Sequence, residues 1–355
     1  MRDAIVYSGW TWKTFNVPER IALALTHIGA RVLYCGNPVS IFRKKDSSLY
    51  EVEPGIFAFH PSYAAERLNK LSFLQSLQAR VVAKQILERA ESLKLNNPIF
   101  FYPCLGDRLS LLSHFRNKFF LAHIQMDYGE RSAESHVRAS DITLAIPHCV
   151  YHQQRARFGE KVQLIPQVLD LRHFQAPDGA PLEPSPALDS IPRPRLGYLG
   201  PAHQQVNKPL ISELLRLRPD WHFVSVGPHK ALPLPNVHVL PWQSSRELPK
   251  YARAFDVGFM PYDCFDEEKL HCLPLKLFEY FALGLPVVAT PILELREFGD
   301  LIYFGDTAKE LEQAVTLALN ESADSPKRRR RIEIAGNHSI ENLADALSKA
   351  LPFND

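Results

Sequence analysis

Cysteine is scarce and unpatterned: five residues in 355, at positions 35, 104, 149, 264 and 272. An odd count with no CxxC pair and no finger spacing argues against a disulfide framework or a structural zinc, and points to reduced cytosolic thiols. An excess of one charge is missing too. Lys plus Arg number 41 and Asp plus Glu 39, a formal net of +2. There is no global basic field for nucleic acid, although a local patch can still bind anions. No run approaches the roughly 18 apolar residues of a membrane span. The opening MRDAIVYSGW enters a strand-like run directly, without the apolar core of a signal peptide. The expectation is a cytoplasmic protein, peripheral at most on the inner face of a membrane. No GxGxxG follows the first strand, which argues against a dinucleotide dehydrogenase. No repeat of 20–50 residues and no DxD-like metal motif in a plausible loop is evident.

What is present is an ordinary globular balance, with 46% apolar and 23% charged residues over about two domains' length. Residues 4–8 (AIVYS) form a short buried-strand run ending at Gly9. Pro18 leads into a helix that closes at Gly29, and residues 30–36 (ARVLYCG) make a second strand. This βαβ opening implies a parallel sheet with helices on its faces. Residues 64–95 read as one or two helices, with Leu68, Leu71, Leu74, Leu77 and Val81 in helical period. Apolar runs at 97–103, 118–125, 140–147 and 162–168 read as further strands.

Residues 174–195 hold six prolines and no period, and are expected to be a linker. The βα rhythm then restarts, beginning with RLGYLG at 195–200. The expected domains are residues 1–173, a linker at 174–195, residues 196–335, and a C-terminal helix at 336–355. A closing helix is read over roughly 325–351. The basic run Lys327-Arg328-Arg329-Arg330-Arg331 that leads into it is a solvated face. Alternatively, with Arg43-Lys44-Lys45 and the basic segment 67–84, it meets an anionic membrane. In open α/β sheets, ligands bind beyond the carboxyl ends of the strands.

The densest string is HCLPLKLFEYFALGLPVVATP, residues 271–291. Pro274 suits a helix start and Gly284 its end. Lys276 and Glu279, three apart, share one side of that helix. A lysine in a first turn opposes the helix dipole, which makes sense if an anion docks there. Glu279 one turn on suits a ribose diol. The same spacing also describes an ordinary surface Lys–Glu pair.

This string resembles the donor-binding signature of the GT-B fold glycosyltransferases, near the broad family-4 group (glycosyl transferases group 1). RLGYLG, RPDWHFVSVGP, PNVHVLPW and LPKYARAFDVGFMPY are similar to that family's C-terminal domain, and looser matches extend through the N-terminal half. The resemblance implies an α/β, GT-B fold: two Rossmann-like domains with parallel sheets facing across a cleft. The N-terminal domain would take the acceptor and the C-terminal domain the donor, with the last helix crossing back. It implies transfer of a sugar from a nucleoside diphosphate sugar, UDP- or GDP-linked, to a hydroxyl of a glycan, lipid-linked or small-molecule acceptor. No obligatory cofactor or metal is implied.

The residues it marks are Gly9, Gly200, Lys208, Trp242, His271, Leu275, Lys276 and Glu279 for the nucleotide sugar. Asp127 and His123 are marked for catalysis. Many relatives have glutamate where His271 stands, and the usual Arg–Lys pair is reduced to Lys208; Lys276 replaces the missing cation. Asp127 beyond its strand suits a base or a turn cap, and His123 a base or a buried histidine. Trp242 suits a nucleobase wall or core packing. Trp10 and Trp12 suit a sugar acceptor or are ordinary loop tryptophans. The alternatives are a non-catalytic GT-B-like subunit that binds sugar nucleotides and a GT-B-fold nucleotide-sugar epimerase.

Overall fold

Four apolar residues, Ala4–Tyr7, form β1, and every one of them is buried. The chain then bends through Gly9 into α1 (Val17–His27), whose start is fixed by Asn16: its side chain accepts the Glu19 amide, and Pro18 fills the first turn. These elements come from a computed structural model. It describes residues 2–9, 11–12, 16–40, 48–63, 72–103, 109–126, 131–174, 180–200, 206–227, 232–263 and 273–353. The chain divides into two units, residues 1–168 with 340–355, and residues 169–339.

In the first unit β2 (Val32–Cys35), β3 (Val39–Ser40), β4 (Tyr50–Glu53), β5 (Ile56–Phe59) and β6 (Ser62–Tyr63) follow α1. Then come α2 (Ser72–Ser92), β7 (Ile99–Pro103), α3 (Leu109–Leu112), β8 (Phe120–Gln125) and α4 (Arg131–Ala139). β9 (Ile142–Ala145), α5 (His148–Phe158) and β10 (Val162–Leu164) complete the alternation. Eight strands pair in the order β10-β9-β8-β7-β1-β2-β5-β4, all parallel except the β4–β5 hairpin. β3 and β6 form a separate small parallel pair.

One face of the large sheet buries Ile5, Leu33, Phe59, Phe100 and Leu121 under Val82, Ala83, Ile86 and Ala90 of α2. This corrects the expected stripe at Leu77 and Val81; Leu68, Leu71 and the side chain of Leu74 lie outside the described residues. Leu77 and Val81 are 50% and 44% exposed, and with Arg80 and Lys84 they point outward. Two apolar stripes lie on this helix, and the one carrying the smaller alanines packs closer to the sheet.

The second unit contains β11 (Arg195–Leu199), α6 (Lys208–Leu217), β12 (His222–Val226), β13 (Val237–Leu240), α7 (Leu248–Ala252) and β14 (Val257–Met260). α8 (Leu275–Ala282), β15 (Val287–Ala289), β16 (Ile302–Phe304), α9 (Ala308–Leu319) and α10 (Pro326–Gly336) follow. Its six strands are parallel, in the order β13-β12-β11-β14-β15-β16. β11 is the first strand, flanked by β12 on one side and β14 on the other, so the winding reverses between β11 and β14.

Residues 180–194 are not a free linker. Leu188 and Ile191 are buried, the Ser185 amide donates to the Lys250 carbonyl at 2.9 Å, and Arg193 pairs with Asp256. Proline content marks irregular backbone but says nothing about the leucine and isoleucine between the prolines. The closing helix is two helices. α10 ends at Gly336, and α11 (Ile340–Ala350) belongs to the first unit, where it packs on α1. No described helix is long and apolar enough to cross a membrane.

Candidate functional site

The reversal between β11 and β14 is where an open α/β sheet presents a ligand crevice at its strand ends. Several features of the second unit gather there. Gly200, just past β11, has a φ of +96°, and among the described residues no atom lies within 4 Å of where its side chain would start. Beyond β14, Val206 bridges Tyr262, and the Asn207 amide donates to the Pro261 carbonyl. That clamp seats the start of α6, where Asn207 caps the helix and Lys208 is its first residue. The start of α8 joins the same place.

α8 is locked by Tyr280. Its hydroxyl accepts the Leu199 amide and donates to the Gly197 carbonyl, both at 3.0 Å. These backbone groups fall where β11 stops pairing with β14, whose register covers only Leu196 and Gly197. The tyrosine thus completes the β11 ladder from a helix. Burial pushes its phenol well above the usual value. A side chain at Gly258 would lie 2.5 Å from the Tyr280 ring, so glycine is what lets the ring in. Replacing Tyr280 by phenylalanine strands two buried backbone groups, and about 1–3 kcal/mol of stability is expected to be lost. A urea unfolding midpoint unchanged in that variant would remove this lock.

Held in this way, α8 offers Leu275 and Lys276 in its first turn, with Glu279 one turn further on, all half-buried. Pro274 is the residue just before the helix, one place earlier than expected, and it gives no side-chain cap. The helix ends at Leu283 and Gly284, whose φ of +68° is the left-handed turn that glycine adopts freely. The Lys276 ammonium donates to the Tyr198 hydroxyl at 2.9 Å and to the Tyr262 hydroxyl at 3.1 Å. Tyr198 and Tyr262 lie in apolar strand runs of the sequence, and Tyr280 inside the 271–291 string. The signal available for them was their recurrence at strand ends and helix start, which no periodicity marks.

Trp242, past the end of β13, is 62% exposed. The core-packing alternative is therefore overturned, and the indole stands beyond the carboxyl end of its strand. Gly9 follows β1 in the first unit with φ +74°. Trp12 is buried edge-on against Tyr34 at 4.9 Å, so it presents no open ring for a sugar. Asp127, His271 and Trp10 lie outside the described residues.

His123 is not placed to act as a base. It is wholly buried in β8, between Tyr102 at 5.3 Å and His136 at 5.4 Å. Burial, reinforced by the charge of His136, holds its imidazole down to about 3. It is neutral across physiological pH and has no solvent-facing atom to meet a hydroxyl. Among the described residues there is no group of three or more His, Cys, Asp or Glu that could hold a metal ion.

The fold gives the class: an α/β chain of two units built on parallel sheets, the GT-B fold. Residues 193–321 match the family Glycosyl transferases group 1, a stretch that contains β11, α8 and the Lys276 site. The chain is 30% identical over 203 residues to a putative teichuronic acid biosynthesis glycosyltransferase, TuaH, of Bacillus subtilis (strain 168). That match covers 52% of this chain and about half, 47%, of the relative. An apo OtsA structure superposes with a TM-score of 0.72 at 10% identity, covering 99% of this chain and all of the other. A trehalose-6-phosphate structure from E. coli bound with UDP-2-fluoro glucose gives 0.69 at 11% identity, covering 98% and 99%. At such identities the likeness is one of fold.

Proposed function

We propose that this chain is a glycosyltransferase that takes a nucleoside diphosphate sugar in its second unit. It transfers the sugar to a hydroxyl of a glycan, lipid-linked or small-molecule acceptor. The observation that carries the reading is Lys276: a cation at the first turn of α8, beside the β11–β14 reversal. A lysine there opposes the helix dipole unless an anion is present. The group 1 match, the name of the Bacillus relative and the UDP sugar in the E. coli structure support the same reading.

The chemistry follows from charge. As the bond between the anomeric carbon and the donor oxygen breaks, negative charge builds on the leaving diphosphate. Lys276, Lys208 and the amides around Leu273 to Leu275 are the groups proposed to meet it. Glu279 is proposed to accept from the ribose diol, and Trp242 to border the base. Gly200 is proposed to let backbone approach the donor, and His271 to contact sugar or phosphate. Asp127 is proposed to take the proton of the acceptor hydroxyl.

A thermal-shift screen with UDP, GDP, ADP, TDP and CMP, with NAD as the control, tests the donor site. At 100 times its dissociation constant, one nucleoside diphosphate is expected to add about 2.7 kcal/mol. Glu279→Ala is expected to reduce that shift more than it lowers the unliganded midpoint. Asp127→Asn is expected to keep the shift and cut transfer. Silence across the panel from a folded protein would sink the reading.

A further inference from the structure

The way Lys276 is held is as informative as its position. Three elements meet at its ammonium: Lys276 from α8, Tyr198 from β11, and Tyr262 from just past β14. Both tyrosines are interior, 2% and 5% exposed, whereas the lysine is half-buried. Their rings are 6.5 Å apart and nearly perpendicular, and the ammonium stands 4.1 Å from the centre of the Tyr198 ring. Neither wall is loose. Tyr198 lies in the stretch of β11 paired throughout with β12. The Tyr262 amide donates to the Thr290 hydroxyl at 2.9 Å, and that hydroxyl donates back to the Tyr262 carbonyl at 2.9 Å.

Phenols are unusual partners for a lysine, and the choice has an electrostatic consequence. A carboxylate would orient the ammonium and cancel its charge. A phenol is neutral below about pH 10, so it orients without cancelling. Among the described residues the ammonium has two hydrogen-bond acceptors, both of them neutral. An ammonium has three protons to donate. Among the described residues nothing the ammonium bonds to offsets its charge, and the two hydroxyls fix its direction.

We infer that Tyr198 and Tyr262 are positioning residues that aim an uncancelled Lys276 at the diphosphate of the donor. This rests on the reading that the second unit binds a nucleoside diphosphate. The pair acts on the phosphates and not on the base or ribose. It follows that loss of either hydroxyl weakens diphosphate binding and spares the nucleoside part.

The test is a set of titrations on the whole chain as wild type, Tyr198→Phe and Tyr262→Phe. UDP and GDP are read by calorimetry, and uridine and guanosine by ligand-observed NMR into the millimolar range. Unfolding midpoints of all three proteins confirm that each is folded; should one variant fail to fold, the other decides. The expected result is diphosphate affinity about tenfold lower in each variant, as for loss of a hydrogen bond to a charged group, with nucleoside affinity unchanged. Equal losses for diphosphate and nucleoside, or no loss of either, would overturn the positioning role while leaving the donor site standing. A folded wild type that binds neither diphosphate would overturn the donor site, and the positioning role with it.

Discussion

Lys276→Met is expected to cost the protein most of its affinity for nucleoside diphosphates. Methionine keeps the stem of the side chain against Tyr198 and removes only the charge. A hydrogen bond to a charged group contributes about 1.5–3 kcal/mol, so the dissociation constant for UDP or GDP should rise roughly 10- to 150-fold. The effect on transfer is expected to be larger than the effect on binding. Charge on the leaving diphosphate is greatest in the transition state, and loss of one preorganised donor lowers kcat by about 10²–10³. Calorimetric titration and a transfer assay check the two parts separately. The fold should hold, because Lys276 is half-buried and its two partners are neutral phenols. A variant that binds UDP and GDP as wild type does would take the cation out of the donor site.

Arg331→Met is expected to give the largest loss of stability. Arg331 is completely buried, although it closes a run of five basic residues that reads as a solvated face. Its guanidinium pairs with Glu321 and also donates to the Leu301 carbonyl at 3.2 Å and the Gly284 carbonyl at 3.3 Å. It therefore ties α10 to the end of α8 and to the approach to β16. Its neighbours are engaged too: Lys327 stands over the Tyr303 ring, and Arg330 pairs with Glu333. Removing the fully buried arginine takes the counter-ion from Glu321 and leaves its carboxylate only the Ser325 and Tyr303 hydroxyls, and breaking such a pair costs about 3–5 kcal/mol. That is a large share of the 5–15 kcal/mol typical of a whole domain. Adding Glu321→Gln should recover part of the loss, because the stranded charge is gone.

The same cluster sets a pH window. Burial works against the Glu321 carboxylate, but hydrogen bonds from Arg331, Ser325 and Tyr303 outweigh it and hold its pKa below the ordinary range. A depressed carboxylate contributes stability above its unfolded value and loses it as pH falls through the folded one. Burial, with the hydrogen bond and charge of Glu321, pushes Tyr303 up to about 12. A raised phenol contributes fully below its unfolded value near 10 and loses that as pH rises toward 12. Urea midpoints of wild type should therefore fall on both sides of a plateau between about pH 5 and 10. In Arg331→Met the acid-side decline should shrink. An acid limb as steep as that of wild type would remove this pair from the account.

Much of the architecture was legible because parallel strands are short apolar runs, and runs such as 97–103 and 140–147 have no competing helical period. The β4–β5 hairpin was missed although Pro54-Gly55 sits between its strands, a turn signal in plain view. Helix α2 was legible as a helix but not in its facing, since periodicity finds stripes and cannot rank two of them. The linker, Arg331 and Trp242 share one reason. Each depends on what distant segments supply, a hydrophobic seat in the first case, a carboxylate in the second and open solvent in the third. Lys276 and Glu279 could be marked from local spacing and the family string. The tyrosines that hold Lys276 come from residues 78 positions before and 14 before it, a separation no local pattern spans.

The arrangement of α11 also bears on the order in which the protein can mature. The first unit is interrupted, since residues 169–339 form the second unit and the chain then returns. Where the chain leaves and returns, the Leu169 amide donates to the His338 carbonyl at 2.9 Å, so the two passages run side by side. α11 then buries Ile340, Leu343, Ala344 and Leu347, packing on α1, and the Arg2 amide donates to the Phe353 carbonyl. During synthesis, α1 leaves the ribosome more than 300 residues before the helix that covers it. The second unit is continuous and can close as soon as it is made. The half of the protein that is translated first is therefore the half that is finished last, and until then α1 keeps an apolar flank that a nascent chain must shield.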